Sequence, residues 1–152
     1  MDRTKAEFRA LRETVGMTQG ALAGEMGVQI RSVKRWENPD APQEPPEEAW
    51  EVLDDAIEAQ RRVVSYTLGK VDEIAEKRGD YPKAVAMPYW ACSADYKKFH
   101  TVPDGGDWRM ANANLRLISF ALHEKGIKVV WTDRPSDDEG SDSGKDKEPR
   151  EH

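Results

Sequence analysis

Gln19-Gly20-Ala21-Leu22-Ala23-Gly24-Glu25-Met26-Gly27-Val28-Gln29-Ile30-Arg31-Ser32-Val33-Lys34-Arg35-Trp36-Glu37-Asn38 is the stretch whose reading decides the architecture. Gln19 opens a first short helix, where its side chain can meet a phosphate. Ala23 falls where that helix crosses a second one, and a larger side chain would push the two apart. Gly27 lies at the turn between them, where a positive φ suits a residue without a Cβ. Val33 and Trp36 stand three apart on the second helix, so both face inward. Arg31, Lys34 and Arg35 then point outward. A helix with an apolar back and a charged, donor-rich front suits the major groove of DNA. The competing reading is an ordinary helical hairpin whose basic residues only face water; the five features together favour the groove-reading motif.

The same residues resemble the Cro/C1-type, or XRE-like, helix-turn-helix family over about residues 5 to 40, and Arg35-Trp36-Glu37-Asn38 is the most specific part. The resemblance implies a lambda-repressor-like all-α domain that binds operator DNA and represses transcription as a dimer. It also implies phosphate contacts for Gln19 and Asn38, one at each end of the motif. Such contacts fix register and carry no sequence code. Ile30, Arg31, Lys34 and Arg35 occupy the outward face that meets base edges. Arg31 and Arg35 are one helical turn apart, so both can enter a groove and reach guanine O6 and N7, while Ile30 suits a thymine methyl. For each of these residues the alternative is a solvated or phosphate-contacting side chain. The sequence departs from the pattern at Gln29, an N-cap position that Ser, Thr, Asp or Asn would serve better. Gly20 and Gly24 also weaken the first helix of the motif, by about 0.5–1 kcal/mol each relative to Ala.

The composition sets bounds on the rest. A chain of 152 residues holds one ordinary domain or two small ones. With 38% hydrophobic and 34% charged residues, the core must be small or shared with a partner. The single cysteine, Cys92, excludes an internal disulfide framework and a multi-cysteine zinc site, and fits a reducing compartment. No apolar run approaches the ~18 residues of a membrane span, and no apolar h-region follows the N-terminus. The expected location is therefore the cytoplasm. A net charge of −6 runs against DNA binding until it is placed along the chain. Residues 133–152 carry eight acids and four bases, a net −4, whereas residues 29–38 carry three bases and one acid. An acidic protein with one basic face should bind DNA poorly without sequence contacts, because phosphate neutralisation supplies most non-specific affinity. That favours a specific regulator over a DNA-coating protein.

Outside the motif, Phe8, Leu11 and Val15 predict a first helix from about Thr4 to Val15, ended by Gly16. Thr18 is placed to cap the next helix. Residues 1–41 form the expected DNA-binding domain. Pro42, Pro45 and Pro46 make residues 42–46 a stiff linker. A long helix is expected over 47–79, with Trp50, Leu53, Ile57, Val64, Leu68, Val71 and Ile74 or Ala75 as its apolar stripe, interrupted at Gln60 and Gly69. The stripe is compatible with a dimer seam. Residues 80–133 read as a small α+β dimerisation domain: a strand at Ala84–Trp90, a short helix capped by Ser93, and a turn at Val102–Gly106. A helix capped by Asp107 follows, with Leu117 and Phe120 widening its buried stripe, and then a strand at Ile127–Thr132. The composition of 134–152 is that of an acidic disordered tail. The fold class is thus mainly α, with a small α+β C-terminal part.

The Pro103-Asp104-Gly105-Gly106-Asp107-Trp108-Arg109 segment, taken with this order of elements, also resembles the YdiL-like proteins and the related anti-CRISPR-associated repressors. That resemblance implies a C-terminal dimerisation module and autoregulation. Catalysis has little support. His100, Asp104, Asp107 and His123 fall in one region near Cys92, but turn and capping roles account for the two aspartates, and no phosphate-binding glycine loop or paired-histidine motif occurs. No catalytic residue, metal or cofactor is expected. The expected partners are a double-stranded DNA operator and a second copy of the chain. The alternative is an antitoxin-type protein that holds a partner protein through its C-terminal half, with Tyr89, Trp90 and Trp131 as the contact surface, and represses its own operon. RNA binding by the basic helix is a third reading.

Overall fold

The computed structural model describes residues 2–100 and 107–135. The order of elements is α1 (Lys5–Thr14), α2 (Gln19–Met26), α3 (Ile30–Glu37), α4 (Glu47–Arg78), β1 (Ala84–Pro88), α5 (Ser93–Phe99), α6 (Trp108–Glu124) and β2 (Lys128–Thr132). The expected turn at Val102–Gly106 and the tail beyond residue 135 lie outside the described residues.

Local chemistry sets the helix ends. The hydroxyls of Thr4 and Thr18 accept from the N–H groups of Glu7 and Ala21, so α1 and α2 both begin on a Thr N-cap. The Asp107 carboxylate does the same for Met110 at the start of α6. Helix α2 ends on Gly27, whose φ of 66° lies in the left-handed region. Within α2, Gly24 has no such duty, and a Cβ built there meets nothing within 4 Å. Gly24→Ala is therefore expected to stabilise the protein by about 0.5–1 kcal/mol. The check is a higher urea midpoint at unchanged slope; a lower midpoint would refute it.

Helix α4 serves two cores. Its first half places Ala49 and Leu53 against Phe8, Val15, Leu22, Ala23, Val33 and Trp36. Its second half places Val64, Leu68 and Val71 against Met87, Ile118, Leu122 and Ile127. Gln60, which the pattern reads as an interruption, is buried between the two and donates from Nε2 to the carbonyl of Thr14, 2.8 Å away. It thereby satisfies a carbonyl at the end of α1 that has no intrahelical partner. The segment between α3 and α4 is not a free spacer. The Lys5 ammonium donates to the carbonyls of Arg35, Asn38, Ala41 and Gln43 at 2.6–3.0 Å, which fastens it to α1.

In the C-terminal part β1 and β2 pair in parallel, from Ala84 opposite Lys128 to Pro88 opposite Thr132. Parallel strands need a long crossover, here supplied by α5 and α6. The first strand stops at Pro88, short of the expected Trp90. The amide of Asn112 takes over at that point: its Oδ1 accepts from the N–H of Trp90 and its Nδ2 donates to the same residue's carbonyl, both at 2.8 Å. Trp90 is buried against Tyr96, which removes it from the expected partner surface, whereas Tyr89 and Trp131 meet edge to face and stay exposed. Leu117, Phe120 and Ile74, expected in buried stripes, are exposed as well. Helix α6 turns only Ile118, Leu122 and their neighbours inward, because a two-stranded sheet is too narrow to cover a wider face. The C-terminal end of α4 is tied to α6 by Asp72, whose carboxylate accepts from the Tyr81 hydroxyl at 2.7 Å and pairs with Lys125 at 3.1 Å. The Tyr81 hydrogen bond, and then the Lys125 ammonium, hold the Asp72 carboxyl below its ordinary range.

Candidate nucleic-acid interface

Helix α3 is positioned from behind. Val33 and Trp36 are buried, and Trp36 meets the ring of Phe8 edge to face at 6.2 Å. Phe8 in turn meets Trp50 of α4 at 5.0 Å, so α3 rests on an aromatic stack that reaches across the domain. Ala23 is buried where α2 passes α3. The backbone of Gln29 caps α3 without a side-chain bond, and its Oε1 instead accepts from Arg31 Nη2 at 3.2 Å.

Beneath the helix lies a polar clamp that the sequence reading missed. Glu37 is buried, and its Oε1 takes Arg12 Nη2 at 2.7 Å and Nε at 2.8 Å. Its Oε2 accepts from Gln19 Nε2 at 2.8 Å. Arg12 Nη1 reaches the carbonyl of Met17, also within the turn region. The clamp therefore joins α1, the start of α2 and the end of α3, and it holds the Gln19 side chain in a fixed direction. In the sequence Glu37 counts as a surface acid that offsets the basic helix. In the structure Arg12 neutralises it out of solvent, so the outward face carries three cations and no acid.

The predicted contact residues come together on this one side. Ile30 is 46% exposed, and Arg31, Lys34 and Arg35 are exposed beside it. Asn38 is exposed at the end of α3, with its Oδ1 accepting from the N–H of Asp40. Gln19 is half-buried at the clamp. Among the described residues, no acid pairs with Arg31, Lys34 or Arg35. Elsewhere in the same domain cations are occupied: Arg3 forks onto Asp54 at 2.7 and 2.8 Å, Arg12 holds Glu37, and Lys5 holds four carbonyls. The Arg3 guanidinium draws the Asp54 carboxyl below its usual range, chiefly by hydrogen bonding. Three cations with no acidic partner among the described residues, on an exposed helix face beside a domain that engages Arg3, Lys5 and Arg12 internally, form a surface ready for an external polyanion.

Residues 6–65 match the family model of a helix-turn-helix domain. No curated protein matches the chain. The matched span runs from α1 into the first half of α4, which is the set of helices that builds the first core. The helix-turn-helix domain is a DNA-binding unit in which the second helix of the motif enters the major groove, and α3 holds that place here. Lys5, like Arg12, went unread in the sequence. Its signal was faint, a single lysine in the first turn of α1 whose four acceptors are backbone groups. Among the described residues, no three His, Cys, Asp or Glu side chains gather in a way that would hold a metal ion, and no helix is long and apolar enough to cross a membrane.

Proposed function

We propose that the protein is a sequence-specific transcriptional repressor that binds operator DNA as a homodimer, with α3 of each copy in the major groove. The observation that carries this reading is the exposed row of Arg31, Lys34 and Arg35, with no acidic partner among the described residues, on a helix braced by Val33 and Trp36. Gln19 and Asn38 contact phosphates on either side, and the clamp through Glu37 gives Gln19 its aim. Arg31 and Arg35 read base edges, Lys34 supports them, and Ile30 lies against a thymine methyl. With a net charge of −6, the protein as a whole repels DNA, so binding without base contacts is weak. In a two-fold dimer the half-sites are spaced about one turn, ~10 bp, or a multiple of it.

The test is selection of binding sites from a random duplex library by the full chain at physiological salt, followed by titration of the selected site against scrambled DNA. A preference of ~10³ or more supports the reading; enrichment of no sequence would refute it. Arg35→Ala is expected to reduce that preference by about 5- to 150-fold, the worth of one bidentate base contact of ~1–3 kcal/mol. Its thermal melting should not move, since the side chain is exposed and has no hydrogen bond or ion pair among the described residues. An unchanged preference would remove Arg35 from the base-reading set.

A further inference from the structure

We infer that the outer edge of β2 is the surface through which two copies of this chain join, with the two β2 strands pairing antiparallel about a two-fold axis at Val130. The hydrogen-bond phase of the sheet leads to this surface. Lys128 donates to the Lys83 carbonyl and Tyr89 donates to the Thr132 carbonyl, so the even-numbered residues of β2 bond to β1. In a parallel ladder the alternate residues then turn their N–H and C=O groups away from the partner strand. Those residues are Val129 and Trp131, and among the described residues their main-chain groups face an open edge.

The other edge of the sheet is guarded. Ala84, Ala86 and Pro88 face outward along β1, and Pro88 has no N–H to offer, a common way of blunting an edge. The β2 edge carries Val129-Val130-Trp131 with no proline and no acid. Beside it runs an open trough of about 610 Å³, walled by β2 and by Phe120 and His123 of α6. Phe120 is 70% exposed and Trp131 43% exposed at its rim, large apolar groups that a monomer would leave in water.

The strand is complementary to itself in one register. With Val130 opposite its own counterpart, Val129 faces Trp131 of the second copy, and these pairs exchange all four outward N–H and C=O groups. That register sets an aromatic ring beside a β-branched side chain on the α6 side, a favourable cross-strand pair. It also sets Lys128 opposite Thr132, so no like charges meet. The four aromatic side chains contributed by two Phe120 and two Trp131 would bury on the order of 500 Å², with the strand edges and the trough walls adding to it. The rings thus supply about half of the ~1,000 Å² that a specific interface must clear, and the paired edges and trough walls supply the remainder. The exposed face of α4 is a weaker candidate, because Lys70 and Glu73 stand between Tyr66 and Ile74.

This inference rests on the dimeric reading given above, and its test needs no DNA. Val130 sits at the non-hydrogen-bonded position on the axis, where opposite Cα atoms lie about 4.5 Å apart, within reach of a disulfide. In a Cys92→Ser background, Val130→Cys is expected to form a covalent dimer under mild oxidation, and Ala86→Cys on the guarded strand is expected not to. In sedimentation velocity the unmodified protein should run as a dimer, Phe120→Glu as a monomer, and Tyr66→Glu as a dimer. Phe120 is exposed, so its loss leaves the fold intact by circular dichroism. A monomer at all concentrations, or a dimer that Tyr66→Glu breaks and Val130→Cys does not crosslink, overturns the inference. If either occurs while sequence-specific DNA binding persists, the regulator reading stands and the subunits meet elsewhere.

Discussion

Arg12→Met is expected to cost about 3–5 kcal/mol of folding stability, because it leaves the Glu37 carboxylate buried without its cation. Glu37 sits in the interior of the first core, between Arg12 and Gln19. Taking a carboxylate out of water is repaid only while the guanidinium forks onto it, and a methionine of similar length returns none of that. The Gln19 amide alone cannot hold the charge. The size of the loss therefore measures an abandoned ion more than a lost attraction, and a second variant separates the two. Arg12→Met combined with Glu37→Leu removes both charges and refills the space with apolar atoms, and should recover most of the stability. Urea unfolding of the single and double variants is the measurement. If Arg12→Met costs less than about 1 kcal/mol, Glu37 reaches solvent and the clamp is not a buried one. If Gln19 contacts phosphate as proposed, the recovered double variant should still bind DNA less tightly than the native protein, since Gln19 has lost the carboxylate that orients it.

The clamp also marks the limit of what the sequence could tell. Elements that depend on local chemistry were legible: Thr18 and Asp107 cap helices where their side chains invite it, and Gly27 makes the turn that its missing Cβ allows. The face made by Ile30, Arg31, Lys34 and Arg35 was legible because Val33 and Trp36 fix which side of an eight-residue helix is inward. What depends on long-range pairing was not. Nothing near Glu37 announces that Arg12, a full helix away, will bury it, and Gln60 resembled a break in a stripe until it met the end of α1. The strands at 84–88 and 128–132 were visible as strands, but their parallel pairing follows from how α5 and α6 return the chain. Phe120 looked like core by periodicity; periodicity reports spacing and does not report how wide a face the opposing layer can cover.

Gly16→Val is the second substitution with a large expected effect, at about 2–4 kcal/mol. Two independent costs meet at this residue. Its φ of +78° is strained for any side chain, and more so for a β-branched one. A Cβ placed there would also lie 2.5 Å from the carbonyl oxygen of Arg109 and 2.8 Å from the Cβ of Ala113. The first of these neighbours is backbone in the opening turn of α6, so no rotamer change relieves it. Gly16 is the point where the turn between α1 and α2 approaches the helix that anchors the C-terminal core. Gly79→Val provides the control. That glycine has a φ of +83°, yet a Cβ built on it meets nothing within 4 Å, so it carries the backbone strain without the collision. Gly16→Val should therefore lose more stability than Gly79→Val, by the ~1–3 kcal/mol that overpacking usually costs. The excess should appear as earlier hydrogen exchange in α6 than in α3, because the collision lifts the C-terminal core from the helix-turn-helix domain while Phe8, Val33 and Trp36 still hold α3. Equal losses in the two variants would mean that α6 does not rest on this turn in solution. DNA binding by Gly16→Val then distinguishes two roles for the contact: retained affinity per half-site makes it a fastening between the two cores, and lost affinity makes it part of how α2 and α3 are aimed.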